Sequence, residues 1–225
     1  STITVSNGTI NVTPGTLTFT STGAPAQQVN ASETNYTGPF NVSGCGGIAS
    51  ATPNPGTGPL QAFQIQPVGA GTCTLTISDN HGGSGSVGIT VFGALILNPT
   101  SLSFNDIGAS SAQSFSIAET AYSGTFAIDA SACAGIATIS AGPFNGPNAS
   151  VTVTPQGQGS CTINVSDDHG GSRQESITVG PFGSIAPNPT SLQLTDIGAA
   201  GAKTFSVSES GYNGAFTIDQ SGCAG

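Results

Sequence analysis

Basic side chains are nearly absent from this sequence. Its 225 residues include only two, Arg173 and Lys203, against eleven Asp and Glu, so the formal net charge is −9. A nucleic-acid-binding surface neutralises several phosphates with Lys and Arg, and anionic membrane surfaces attract the same residues. The composition therefore argues against nucleic acid as a partner and against attachment to an anionic membrane surface.

Long apolar runs, Met and Trp are also missing. The longest apolar stretch, VFGALIL at 91–97, is too short to span a bilayer. The first residues, STITVSNG, have neither the basic start nor the apolar centre of a signal peptide. Gly, Ser, Thr, Val and Ile outnumber good helix formers, which favours strands. We expect an all-β chain that does not insert into a membrane in this segment.

The sequence repeats itself. Residues 98–135 and 188–225 align without gaps at an offset of 90, and 22 of 38 positions are identical. A more divergent copy begins near residue 12, where YTGPF and TCTLTISDNHGG correspond to the later YSGTF and SCTINVSDDHGG. Self-similarity at a fixed period of this length indicates tandem domains.

Domain limits follow from this alignment. We expect repeat 1 at 10–94, repeat 2 at 95–184 and the first half of repeat 3 at 185–225. Residues 1–9 resemble the closing strand of a repeat, because TITV matches the later SITV, and they are interpreted as the last strand of a preceding repeat or as a donor strand. Two hypotheses explain the half repeat: either the segment belongs to a longer array, or a neighbouring molecule completes it.

Apolar residues alternate with polar ones inside each repeat, as in Phe115 and Ile117 or Val151 and Val153. In repeat 2 this pattern predicts seven short strands, near 101–104, 113–117, 125–129, 136–139, 150–154, 161–165 and 175–179. Short alternating strands separated by turn residues are typical of sandwiches. The predicted fold class is all-β, with tandem immunoglobulin-like antiparallel β-sandwiches of about 88–90 residues. The Pro-containing connectors between them should be semi-rigid.

The cysteines repeat with the domains. Cys45 and Cys73 are 28 residues apart, as are Cys133 and Cys161, and Cys223 aligns with Cys133. This spacing predicts one disulfide per repeat, with the partner of Cys223 outside the sequence. Disulfides indicate an oxidising compartment. The alternative, a zinc site, needs four ligands, which each repeat does not supply.

The motif SDNHGG at 78–83 recurs as SDDHGG at 166–171. Asp, Asn and Gly are turn residues, so the favoured interpretation is a hairpin turn that every repeat needs. The alternative is a calcium site, for which Asp79, Asp167 and Asp168 are weak candidates. No nucleophile–base pair, paired-carboxylate cleft, phosphate loop or dinucleotide fingerprint is recognisable. We therefore expect no enzyme activity, no catalytic residue, no further metal site and no cofactor.

Asn-X-Ser/Thr sequons are concentrated before residue 42. Candidate glycosylation sites there are Asn7, Asn11, Asn30, Asn35 and Asn41. Two further sequons lie at Asn148 and Asn164. In a glycosylating source, repeat 1 is the expected bearer.

The segments NPTSLSF, CTINVSDDHGGS and ESITV resemble tandem bacterial immunoglobulin-like (Big-type) repeats of large extracellular surface proteins. The resemblance implies an extracellular or cell-surface location and a structural role as a rod or filament, such as a surface fibre, stalk or matrix component. Expected partners are neighbouring copies of the same repeat or chain. The alternative is a glycan- or calcium-dependent adhesin, which would add glycans as partners.

Overall fold

Alternating apolar residues fold the chain into short strands. A computed structural model describes residues 8–210, 212 and 215–223. The predicted strand at the start of the chain therefore lies largely outside the described residues, because its first seven positions precede residue 8.

Repeat 1 contains nine strands arranged in two sheets. The first sheet has the order β1-β3-β7-β5 and the second the order β2-β9-β8-β4-β6. The strands are β1 Asn11–Thr13, β2 Thr16–Phe19, β3 Gln27–Ser32, β4 Pro39–Ser43, β5 Ala49–Thr52, β6 Gly56–Thr57, β7 Leu60–Pro67, β8 Gly71–Ser78 and β9 Ser84–Val91.

Repeat 2 has the same plan without a counterpart of β6. Its sheets have the orders β10-β12-β15-β14 and β11-β17-β16-β13. The strands are β10 Ile96–Asn98, β11 Ser101–Phe104, β12 Gln113–Ala118, β13 Ala127–Asp129, β14 Ala137–Ile139, β15 Asn148–Pro155, β16 Gly159–Ser166 and β17 Ser172–Val179.

The strand order is that of an immunoglobulin-type sandwich. Labelled A, A′ and B to G along the chain, the strands of repeat 2 form an ABED sheet and an A′GFC sheet, and most neighbours are antiparallel. The exception is β11, which pairs in parallel with β17, as β2 does with β9. The predicted fold class is therefore confirmed.

Each sandwich encloses its own apolar core between the two sheets. Inward-facing residues of repeat 1 include Phe19, Phe63 and Ile77, and those of repeat 2 include Phe115 and Ile163. All five side chains are buried. Each β-strand contributes every second residue, as its alternation requires.

Each sandwich contains one disulfide, which links the segment after strand C to strand F. Cys45 bonds to Cys73, and Cys133 bonds to Cys161. Cys133 ends a short 3-10 helix, Ser131–Cys133, that follows strand C, and Cys161 lies in strand F. The bridge thus differs from the B–F bridge of antibody domains.

The connector between repeats is more ordered than the sequence indicated. It contains strand β10, which pairs with β12 and was not among the seven predicted strands. Leu95 and Leu97 are buried in the core of repeat 2. Their burial orders the segment, because each apolar side chain removed from water favours a fixed backbone. The predicted domain limits remain predictions.

The described part of repeat 3 contains strands β18 Ala186–Asn188 and β19 Ser206–Ser208, which pair antiparallel. Short 3-10 helices lie at Ala109–Ser111, Ala199–Gly201 and Ser221–Cys223. Leu192, Leu194 and Phe205 are exposed here, whereas the corresponding side chains of repeat 2 are buried.

Candidate functional site at the junction of repeats 1 and 2

The repeated SD(N/D)HGG motif forms the loop of a hairpin in both repeats. It joins β8 to β9 in repeat 1 and β16 to β17 in repeat 2. The Asp79 carboxylate accepts hydrogen bonds from the N–H groups of His81 (2.8 Å) and Gly83 (2.7 Å). Asp167 accepts equivalent bonds from His169 (2.7 Å) and Gly171 (2.8 Å). The first acid therefore closes the turn with its own side chain.

Steric constraints explain why both of these positions in the motif are glycine. Gly82 and Gly170 adopt positive φ, 91° and 94°, where side chains other than Gly are strained. A Cβ on Gly83 or Gly171 would overlap the carboxylate of the turn aspartate. The GG pair is therefore fixed by the turn.

The third residue of the motif holds a buried tyrosine. The Tyr36 hydroxyl lies 2.9 Å from Asn80 Oδ1 and 2.8 Å from the Pro39 carbonyl oxygen, either of which accepts its proton. In repeat 2, Tyr122 donates to the Thr125 carbonyl oxygen at 3.1 Å. Burial and the neighbouring Asp168 carboxyl raise the pKa of Tyr122.

The histidine packs against the same tyrosine. The rings of His81 and Tyr36 meet edge-on at 5.5 Å, and those of His169 and Tyr122 at 5.7 Å. His169 Nδ1 also lies 2.7 Å from Asp168 Oδ1. The motif thus packs its hairpin against the loop that contains Tyr36 or Tyr122, which we call the tyrosine loop. These contacts give each chemically distinctive residue of the motif a structural role.

The structure adds a partner that sequence reasoning missed. Glu119 follows the last residue of β12, Asp167 follows the last residue of β16, and their carboxyls lie within hydrogen-bonding reach across the two sheets. Glu119 is only 3% exposed. Burial, then repulsion from Asp167, raises the pKa of Glu119 to about 7. The recurrence of this glutamate in each repeat was visible in the sequence, but its contact with the motif was not.

Repeat 1 contains the equivalent pair, Glu33 and Asp79. Burial and the Asp79 neighbour raise the pKa of Glu33. Burial works to raise the pKa of Asp79 as well, but the backbone N–H groups of His81 and Gly83 outweigh it and leave the pKa lowered. Both repeats therefore place two carboxyls in contact, and in repeat 2 this pair lies at the end that faces repeat 1.

One phenylalanine connects the two repeats. The Phe92 N–H donates to the Phe19 carbonyl oxygen of repeat 1 at 3.0 Å. Its ring belongs to the core of repeat 2, where it meets His169 at 4.1 Å and Tyr122 at 6.0 Å. The next N–H, of Gly93, donates to the Thr120 carbonyl oxygen at 2.9 Å.

A cleft of about 260 Å³ opens beside this connection. Thr20 and Ser21 of repeat 1 line one side, and Glu119, Asp167 and His169 of repeat 2 line another. Gly93, Ala94, Leu95, Gly170, Gly171 and Arg173 complete the lining. Within the described residues, Asp167, Asp168 and His169 form the one group of three side chains whose possible ligand atoms lie within 4.8 Å of one another. The cleft is the candidate functional site.

A second buried acid lies in the core of repeat 2. Glu175 is fully buried on the inward face of β17, opposite Ile163, and neither carboxyl oxygen has a hydrogen-bond partner. Burial raises its pKa to about 7. Its alternation with Ile177 and Val179 was the signal in the sequence that could have located it.

Other predicted sites stay predictions. Asn11, Asn30, Asn35 and Asn41 are exposed, and Asn7 lies outside the described residues. Cys223 ends the last 3-10 helix, and nothing further is described of its side chain. Asp106 and Asp196 each accept a hydrogen bond from the next N–H in the chain.

The chain resembles known proteins in its structure only. No protein-family model matches the chain, and no curated protein matches it. Solved structures do match. A C-terminal 282-residue fragment of intimin, in complex with the intimin-binding domain of the translocated intimin receptor, is 11% identical. That match covers 82% of this chain and 68% of the fragment, with a TM-score of 0.46.

Two other matches are of the same quality. The Escherichia coli adhesin FdeC is 15% identical over 80% of this chain and 67% of its own, with a TM-score of 0.44. Domains 4 and 5 of the S-layer protein SbsC are 14% identical over 63% of this chain and 77% of theirs, with a TM-score of 0.36. The chain covers 29% of a longer SbsC fragment. Likeness at this level assigns neither a family nor a function.

Among the described residues, no helix has the length and apolar character needed to cross a membrane.

Proposed function

We propose that this chain is a structural segment of an extracellular rod or filament, built by stacking immunoglobulin-like repeats end to end. The observation that carries the proposal is the recurrence of the junction. Phe92 meets Tyr122 of the next repeat at 6.0 Å, and Phe182 meets Tyr212 at 6.2 Å, both edge-on. Gly93 donates to Thr120 at 2.9 Å, and Gly183 donates to Ser210 at 2.7 Å.

The aromatic contact and the Gly–carbonyl hydrogen bond recur at the second junction, although Gly180 and Pro181 make that connector two residues longer. An aromatic contact and a backbone hydrogen bond restrain a connection that would otherwise behave as a flexible linker. Arrays in which each unit contacts only its neighbours extend in one dimension. The recurring contacts therefore support a stiff, regular rod.

The disulfides support an extracellular location, because they form and persist in oxidising compartments. Each sandwich has a bond between cysteines 28 residues apart. Closing such a loop stabilises a domain by about 3–4 kcal/mol. That contribution suits a polymer exposed to dilution and proteases.

The surface supports association with further copies. Lys on an edge strand normally opposes edge-to-edge pairing, and the chain has only Lys203 and Arg173 as basic residues. The net charge of −9 opposes close approach at low salt, and physiological salt screens it beyond about 8 Å. Lateral partners are therefore proposed to be copies of the same chain.

Electron microscopy of the native, undenatured material tests this function. A uniform filament with a regular axial repeat supports it. Isolated, flexible strings of beads contradict a stiff filament and favour a stalk that carries an adhesive tip. A variant with Phe92→Ala and Phe182→Ala should lose the regular spacing, whereas the exposed substitution Leu60→Ala should not.

A further inference from the structure

We propose that the cleft between repeats 1 and 2 binds a divalent cation, with Ca²⁺ as the best chemical match, through the carboxylates of Glu119 and Asp167. The proposal does not depend on the filament.

Glu119 is the residue that distinguishes this site from a surface cluster of acids. Its side chain is 3% exposed, and its Oε2 atom has no hydrogen-bond partner. It lines the cleft together with Asp167. A buried polar atom without a partner costs free energy that a bound ion would recover.

Asp167 is held in a position to share a ligand with Glu119. Its Oδ1 atom accepts the N–H groups of His169 and Gly171, which fixes the carboxylate plane. Two carboxylates held in contact need either a shared proton or a cation between them, because like charges at this distance repel.

Asp168, a weak calcium candidate from the sequence, is better explained otherwise. It lies 2.7 Å from His169 Nδ1, it is 70% exposed, and it neighbours the Tyr122 hydroxyl. Through these contacts Asp168 stabilises the tyrosine loop. Glu119 replaces it as the second carboxylate of the site.

The opposite wall supplies neutral oxygens. Thr20 and Ser21 belong to repeat 1, and each has hydroxyl and carbonyl oxygens. Ca²⁺ takes six to eight oxygen ligands in irregular geometry and accepts water among them. A cleft of about 260 Å³ accommodates such a shell. A cation there would contact both repeats and would stiffen their junction.

Repeat 1 gives independent support. Its matched pair, Glu33 and Asp79, also has buried oxygens without partners, Glu33 Oε2 and Asp79 Oδ2. Residues before position 8, which precede this pair, are outside the described structure. The proposal is therefore confined to the junction of repeats 1 and 2.

Calorimetric titration of the chelator-treated 225-residue chain with CaCl₂, in 150 mM NaCl at pH 7.5, tests the site. We expect saturable binding with a dissociation constant of about 10⁻⁴–10⁻³ M. At 10 mM CaCl₂ the unfolding midpoint of repeat 2 should rise by about 6–20 °C. The salt suppresses non-specific screening by the cation.

Two variants should keep the fold while replacing the carboxylate ligands of the site by neutral amides. Glu119→Gln keeps the shape, and its amide can donate to Asp167, as a protonated glutamate does. Asp167→Asn keeps an oxygen that accepts the N–H groups of the turn. Both should lose the calcium response of repeat 2. The matched variant Glu33→Gln should keep it.

Absence of binding by the unaltered chain would overturn the site. So would Glu119→Gln and Asp167→Asn proteins that bind Ca²⁺ as the unaltered chain does. If both variants are as stable as the parent and the parent ignores Ca²⁺, the pair shares a proton instead. None of these outcomes changes what electron microscopy shows of the filament.

Discussion

Repeats 1 and 2 share a strand plan, a disulfide and a hairpin motif, yet one central core position holds an apolar residue in repeat 1 and an acid in repeat 2. In repeat 1, Val87 of β9 lies opposite Leu75, and in repeat 2, Glu175 of β17 lies opposite Ile163. All four side chains are buried. The sandwich therefore tolerates an acid in its core, because burial raises the pKa of Glu175 to about 7 and the neutral form is accepted.

This difference makes the two repeats respond differently to pH. A carboxyl whose pKa is raised on folding binds more protons in the folded state than in the unfolded state. The stability of repeat 2 is therefore full below about pH 4.5, falls as the pH rises to 7, and levels off above it. The full loss from Glu175 is about 3 kcal/mol. Repeat 1 lacks this contribution, although Glu33 in its own pair also has a raised pKa.

The largest loss of stability is expected when the buried acid is introduced into repeat 1. Val87→Glu should destabilise that repeat by about 4 kcal/mol at pH 8, because an unpaired charge and extra volume enter a packed core. Hydrogen exchange followed by mass spectrometry on peptides from each repeat measures it. Val87→Gln is the control, and its effect should not vary with pH. Equal pH profiles for the two variants would contradict the charge explanation.

Removing the disulfides should affect the repeats equally. The double variants Cys45→Ala with Cys73→Ala, and Cys133→Ala with Cys161→Ala, should each cost about 3–4 kcal/mol, because both bonds join cysteines 28 residues apart. Chemical denaturation at pH 5 measures the losses, away from most of the Glu175 effect. A difference above about 1 kcal/mol would contradict an equal contribution from the two bonds.

The reverse substitution should make the pH dependence of stability more alike in the two repeats. Glu175→Val should stabilise repeat 2 by about 1 kcal/mol at pH 4.5, because the neutral acid leaves two oxygens without partners. At pH 8 the gain should be about 3 kcal/mol larger, because the charged form is then removed as well. Denaturant midpoints at the two pH values, measured with a chelator present, give the effect. The remaining pH dependence should come from Glu119. A pH-independent gain would contradict titration of Glu175.

The smallest expected difference concerns the hydroxyl groups of Tyr36 and Tyr122. Tyr36→Phe should cost about 1 kcal/mol, because it removes the hydrogen bond to Pro39 or Asn80. Tyr122→Phe should cost somewhat more, because its hydroxyl neighbours the charged Asp168. Thermal unfolding of each variant measures this. An Asp168→Asn background should reduce the second loss to the size of the first.

Local patterns predicted much of this fold. The alternation of Phe115 with Ile117 located β12, and the equal cysteine spacings located both disulfides. Strand β10 was missed, because its apolar residues lie in a Pro-containing connector and become ordered only by packing on repeat 2. The Glu119–Asp167 contact was missed for a similar reason. The two residues end strands in opposite sheets, and only the closed sandwich brings them together.

Phe92 has a consequence for how such a chain folds. Its backbone is fixed by strand pairing in repeat 1, while its ring completes the core of repeat 2. Closing the last strand of repeat 1 therefore places one side chain of the repeat 2 core. A chain that emerges from its N-terminus would close repeat 1 first and so present Phe92 to the core of repeat 2 as that repeat folds. The junction thus couples neighbouring repeats in folding cooperativity as well as in geometry.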